Sequence, residues 1–247
     1  MNSKKSPLRK IRQGVIQGID SLHMQEFSLR IIAWLTRQAD LPVLGQFIRF
    51  CGNLYCRSII YGQTHSGFSS SRHHQHTVID HDSAMALIQK EKDLCLIDCV
   101  CRKIGRNCNA PLKTCILVGT GARVRNKANP DRKITVEQAT HILQSCFDQN
   151  LIHNAIYALG DLVEICNCCQ CCCVPILGVR QGIQSLRPSH YVAVKVNSCS
   201  MCGVCETVCP FGAIEQGNID NEKCFGCGLC AYKCPEEAVT MVERRYC

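Results

Sequence analysis

Apolar residues recur at helical spacing through the first sixty positions. Leu8, Ile11, Val15, Ile19 and Leu22 form one stripe, Phe27, Ile31, Trp34 and Leu35 a second, and Leu44, Phe47, Ile48, Cys51, Leu54, Tyr55 and Ile59 a third, with Pro42 at a helix start. Residues 1–61 are therefore expected to form two or three amphipathic helices, with Arg49 and Arg57 off the last stripe. The pattern lapses over 62–82, GQTHSGFSSSRHHQHTVIDHD, which reads as a Gly/Ser/His-rich linker. From 83 to 195 the period alternates. A helix opens at Asp82 and runs through Met85 and Ile88, and strand-like runs occupy 94–101 and 114–121. Thr135 with Gln138 makes a capping box before Val136, Ala139, Leu143, Cys146 and Phe147, an apolar segment spans 151–158, and a last strand falls at 191–196. Alternating strands and helices predict an α/β unit with a partly parallel sheet, inside an α+β chain that ends in a separate module at 196–247.

Composition narrows the function. The chain has 247 residues, 46% of them hydrophobic, enough for a packed core, yet no run approaches the roughly 18–20 apolar residues that span a bilayer. Net charge is +8, concentrated at the front, where residues 1–60 hold nine basic and three acidic side chains. Those helices are either a cap on the rest of the protein or a surface for an anionic membrane or an acidic partner protein. Nucleic acid is a poor fit, because aromatics are only 6% and no reading module is recognisable. Gly119-Thr-Gly121 after a strand lacks the third glycine of a dinucleotide loop, Val124 standing there, and no Walker-type lysine follows. His65, His73, His74, His76 and His81 could meet a metal, but no thiol or carboxylate accompanies the central trio.

Cysteine changes the picture most, with 23 residues. Such density means a secreted disulfide scaffold or a metal protein. The opening MNSKKSPLRKIRQGVIQGID has no signal-peptide core, so a reducing, cytoplasmic setting is expected, with membrane contact through residues 1–60 as one option. There, clustered thiols are metal ligands first.

Residues 199–242 contain a repeat with a 25-residue period: CSMCGVCETVCPFGAIEQG aligns with CFGCGLCAYKCPEEAVTMV at four cysteines, a glycine, a proline and an alanine. Each copy reads C-x2-C-x2-C-x3-C-P. A zinc ribbon pairs two knuckles across a hairpin and does not need three ligands at successive three-residue steps. The segment resembles a two-cluster [4Fe-4S] bacterial-type ferredoxin. That resemblance implies one cluster on Cys199, Cys202, Cys205 and Cys234 and a second on Cys224, Cys227, Cys230 and Cys209, the fourth cysteine of each run crossing to the other cluster. Gly203 and Gly228 match the family's small loop position, and Ile214 and Val239 its apolar cluster covers.

Two further groups stand outside the repeat. Cys99, Cys101, Cys108 and Cys115 suffice for one more site, with Arg102, Lys103 and Arg106 interleaved to offset thiolate charge. ICNCCQCCC supplies Cys166, Cys168, Cys169, Cys171, Cys172 and Cys173; an extended backbone would put Cys169, Cys171 and Cys173 on one face and Cys166, Cys168 and Cys172 on the other. Together they are expected to hold one or two additional iron–sulfur clusters, whereas Cys51, Cys56, Cys95 and Cys146 read as buried small apolar residues. Over residues 82–242 the chain also resembles ferredoxin-like iron–sulfur proteins of anaerobic microbes, in which a cysteine-rich part precedes a two-cluster module. The function expected is an electron carrier or redox-complex subunit working with a redox partner protein. The alternatives are a reductase with an open-iron cluster in the middle domain, and metal storage or cluster assembly.

Overall fold

The computed structural model describes residues 41–55, 75–158, 160–196 and 199–244, with a few positions between 30 and 38. The helices expected before residue 30, Cys56, His65, His73 and His74 lie outside the described residues. Helix α1 (Pro42–Tyr55) starts at the proline, as its fixed φ favours. It is held by Asn53, whose Nδ2 donates to the Gly182 carbonyl at 3.1 Å and whose Oδ1 accepts from Gln184 N–H at 2.8 Å. Ile48 is buried, but Phe47, Phe50 and Leu54 are more than half exposed and Cys51 is exposed. The apolar stripe thus faces outward, which corrects the expectation that Cys51 is a core residue; Cys95 and Cys146 are buried as expected.

The stretch read as a linker ends earlier than expected, because Gln75–Ile79 is strand β1, paired along its length with β4 (Ile152–Ala158). Helix α2 (His81–Gln89) is capped by Asp80, which accepts from Ser83 N–H at 2.9 Å. Next come β2 (Leu94–Asp98), α3 (Val100–Gly105), β3 (Lys113–Val118), α4 (Gly119–Ala128), a short 3-10 turn, and α5 (Val136–Asp148). The Thr135–Gln138 capping box is present in both directions. Strands β4 and β5 (Asp161–Cys168) form a hairpin, and α6 (Val174–Arg180) follows.

The sheet order is β1-β4-β5-β3-β2, and every strand pair in it is antiparallel. The partly parallel sheet is therefore not what forms. Strands β3 and β4, joined through helices, do run in the same direction, but the returning strand β5 inserts between them. The β2–β3 connection, which carries the six-residue α3, returns its strand antiparallel rather than crossing over.

Alternation along the strands divides the core. Ile79, Ile116, Ala155 and Ile165 face Ala84 and Ile88 of α2 and Ala139 and Leu143 of α5. Val78, Ile152 and Cys168 face the opposite way, toward Ile176 of α6 and toward Phe211, Cys227 and Leu229 of the C-terminal module.

That module contains β6 (Tyr191–Lys195), α7 (Val204–Val208), β7 (Ile214–Glu215), β8 (Asn218–Ile219), α8 (Leu229–Tyr232) and β9 (Val239–Glu243). Strand β6 pairs with β9, so it belongs with the C-terminal repeat rather than with the middle domain. Tyr232 anchors the module to α5: its hydroxyl donates to Asp148 Oδ1 at 2.6 Å, its ring packs on Phe147, and Lys233 Nζ donates to the Asp148 carbonyl at 2.9 Å. No helix among the described residues is long and apolar enough to cross a membrane.

Candidate metal and cluster sites

The two C-terminal runs fold alike because each needs a left-handed residue after its second cysteine. Gly203 (φ 77°) and Gly228 (φ 80°) supply it, opening α7 and α8. Each run then wraps a cavity. Cys199, Cys202, Cys205 and Cys234 line one, and Cys209, Cys224, Cys227 and Cys230 line the other. Each cavity takes three thiols from one repeat and the fourth from its twin. Ile214 and Val239 are buried beside them. Equivalent backbone donors reach the two exchanged sulfurs: Ala213 N–H to Cys209 Sγ at 3.3 Å and Ala238 N–H to Cys234 Sγ at 3.2 Å.

The cavities differ in exposure. Cys202 is exposed and its three companions half-buried, while Cys224, Cys227 and Cys230 are all buried. Burial pushes the Cys227 thiol well up and the Cys230 thiol up to about 12, so lone thiolates are disfavoured there and a bound cation has to offset them.

The middle-domain thiols regroup across the sequence. Side-chain interactions link Cys99 to Cys101 and Cys115, Cys101 to Cys173, Cys173 to Cys168, Cys168 to Cys166, and Cys166 back to Cys115. Six thiols close a ring. Cys115 lies on β3 across from the Cys166 end of β5, Cys166 and Cys168 share a strand face, Cys99 and Cys173 are the N-cap residues of α3 and α6, and Cys101 sits in the first turn of α3. Hydrogen bonding with Cys101, then Cys115, holds Cys99 far below the usual thiol range, and bonding with Cys173, then Cys99, pushes Cys101 well above it. Proton sharing of this kind is what a bound cation would replace.

Cys108 is absent from the ring. It meets Cys169, Cys171 and Cys172, and the four sulfurs lie within 4.8 Å of one another. The expected pairing of Cys108 with Cys99, Cys101 and Cys115 is thus corrected, as is the strand-face division of ICNCCQCCC. The chain leaves the extended form after Cys168, and a turn closed by Cys173 N–H on the Cys169 carbonyl at 3.2 Å brings Cys169, Cys171 and Cys172 to one side.

Of the three interleaved cations, Lys103 and Arg106 are exposed and Arg102 is 3% exposed. Arg102 donates to the Asn167 carbonyl at 2.8 Å and to Thr114 Oγ1. Burial alone would lower its pKa, but Cys99, then Cys169 and Cys115, raise it on balance, so it is the buried countercharge of both thiol sets. Sequence reasoning missed Glu164, whose Oε1 accepts from Cys166 Sγ at 3.0 Å and which joins Cys115 and Cys166 within 4.8 Å. The signal was its position, two residues before Cys166 on the same strand face. The His81 ring stacks on Phe147 and bonds to His153 and Gln144, and His76 lies near Asn154.

Two cysteine-lined cavities in the tail and two dense thiol groups beside them define an iron–sulfur protein. Within it, residues 197–245 match the family model of the LdpA Fe-S cluster-binding domain. No curated protein and no solved structure matches the chain.

Proposed function

We propose that this protein relays single electrons through two [4Fe-4S] clusters, one held by Cys199, Cys202, Cys205 and Cys234 and the other by Cys224, Cys227, Cys230 and Cys209. The observation that carries the reading is the pair of cavities, each lined by four thiols drawn three and one from the two repeats. When bound, such clusters accept and release one electron each, at a potential set by hydrogen bonds to sulfur and by solvent access. The chain's own groups supply both controls. Ala213 and Ala238 N–H donate to sulfur, and the apolar cover of Ile214 and Val239 excludes water.

The burial order gives the relay a direction in space. The half-exposed cavity around Cys202 faces a partner protein, and the buried cavity leads inward, since Cys227 and Leu229 share one apolar core with Cys168 and Cys173 of the six-thiol ring. That ring is our candidate for a further iron–sulfur cluster. The exposed apolar face of α1, with Phe47, Phe50 and Leu54, offers docking area for the partner or a membrane surface. A second reading, a reductase acting at the ring, is favoured by one observation, the Glu164 carboxyl beside Cys115 and Cys166, which could leave one metal position open to substrate.

The exchange of fourth cysteines is testable in the full chain, purified without oxygen. Cys209→Ser should remove the cluster of Cys224, Cys227 and Cys230, and Cys234→Ser that of Cys199, Cys202 and Cys205, read by spin resonance of the reduced protein. Loss of the cluster in the substituted residue's own repeat would contradict the assignment.

A further inference from the structure

We propose that Cys108, Cys169, Cys171 and Cys172 form a closed tetrathiolate site for a single zinc ion, distinct from every iron–sulfur ligand in the chain. Spacing makes the distinction. Cys108 Sγ stands 3.8 Å from both Cys169 Sγ and Cys172 Sγ, and Cys171 Sγ 3.8 Å from Cys172 Sγ. Four sulfurs at about 2.3 Å from one tetrahedral metal are about 3.8 Å apart. In a four-iron cube each thiolate is bound to its own iron, so the sulfurs stand farther apart than on one metal. The C-terminal eight cysteines fit that wider arrangement: among the described residues, none of them belongs to a ligand group drawn within 4.8 Å. Among the described residues, the same molecule thus presents two wide cradles and one tight group of four thiols.

The surroundings are those of a structural zinc site. All four positions are filled by protein, so no place is kept for substrate. Cys169 and Cys172 are 5% and 3% exposed and share an apolar cluster with Cys146, Leu151, Ala110 and Ile142. The Asn107 N–H reaches Cys172 Sγ at 3.4 Å, and Asn107 Nδ2 reaches the Cys171 carbonyl at 3.5 Å, so the loop carrying Cys108 is already fastened to the turn that carries the other three. The buried Arg102, bonded to the Asn167 carbonyl two residues before Cys169, brings a positive charge to this end of β5 that offsets part of the excess negative charge of four thiolates on a divalent ion. A thiolate tetrahedron suits zinc or iron, and the affinity order of divalent metals places zinc above iron(II). The ion's work is to tie the loop after α3 to the turn after β5, holding α3 and α6, and with them Cys99, Cys101 and Cys173, in place.

This proposal does not rest on the electron-relay reading, and its test separates the two. The full chain is produced with zinc and iron both supplied and purified without oxygen, and zinc, iron and acid-labile sulfide are counted per chain. One zinc is expected, and Cys108→Ser should lose it while keeping sulfide and the iron of the C-terminal clusters. Iron and sulfide falling in that variant while its zinc stays would make the four thiols cluster ligands and overturn the proposal. So would a wild-type protein that carries iron but no zinc. X-ray absorption at the zinc edge of the wild type needs no variant to fold. Four sulfur neighbours at about 2.3 Å are expected, and nitrogen or oxygen neighbours would contradict the site.

Discussion

Replacing Arg102 by Met tests whether one buried cation serves both thiol groups. The guanidinium is 3% exposed and donates to the Asn167 carbonyl on β5 and to Thr114 Oγ1 on β3. Met fills similar volume but leaves both acceptors without that partner, and removes the positive charge facing Cys99, Cys169 and Cys115. Hydrogen bonds from a charged donor contribute about 1.5–3 kcal/mol each, and breaking a buried charge pair costs about 3–5 kcal/mol. These effects overlap, so we expect a local loss of about 3–5 kcal/mol, not their sum. Hydrogen exchange followed by mass spectrometry, without oxygen, reads this directly. Protection of the β3 and β5 amides should fall by roughly two orders of magnitude or more, since about 1.4 kcal/mol is a factor of ten. Arg102→Lys, which keeps charge but cannot serve both acceptors at once, should fall between. If Arg102→Met keeps wild-type protection on both strands together with its full metal content, the countercharge argument is wrong.

Burial pushes His153 down to about 4, against the hydrogen bond from its Nδ1 to the Asn167 Oδ1 acceptor, which acts the other way. Its folded pKa lies below the unfolded value of about 6.5, so the unfolded chain binds more protons between these limits. Stability is full above pH 6.5 and declines as pH falls, by about 2 kcal/mol at pH 5. Melting at pH 7.5 and pH 5 should show this loss in the wild type and a smaller one in His153→Gln; equal losses would remove His153 from the account. Gly226→Ala places a Cβ against the Tyr191 carbonyl and Ser189 Oγ at a φ of +68°, so we expect a cost on the order of 3 kcal/mol and an empty Cys224–Cys230 cradle, read by iron content and cluster absorbance. Asp148→Ala removes the acceptor of Tyr232 and should loosen the module from α5, visible as faster proteolysis between residues 180 and 199 with little change in iron.

Legibility in the sequence followed the range of the interactions. The C-terminal cradles could be read because three of four thiols in each lie within seven residues, and the ferredoxin resemblance implies the fourth. The capping box at Thr135 is likewise local. What escaped was pairing across sixty residues. Nothing in CVCRKIGRNCNAPLKTC tells that Cys108 leaves its three companions, because the separation arises from the left-handed Arg106 (φ 49°) that ends α3 and redirects the loop toward Cys171 and Cys172. The sheet misled for a related reason. Alternating strands and helices did place β3 and β4 in the same direction, but a hairpin can insert its return strand between them without changing the pattern. The outward face of α1 was not readable either, since periodicity marks a stripe and not what covers it.

Mössbauer spectroscopy of the full chain, grown on isotopically enriched iron and kept from oxygen, tests the central claim most directly. The account predicts that oxidised four-iron cubes make up the signal, with enough iron per chain for at least two of them, and that this signal shrinks when Cys209 or Cys234 is replaced. A protein that binds zinc in its C-terminal loops and shows no cube spectrum would contradict it.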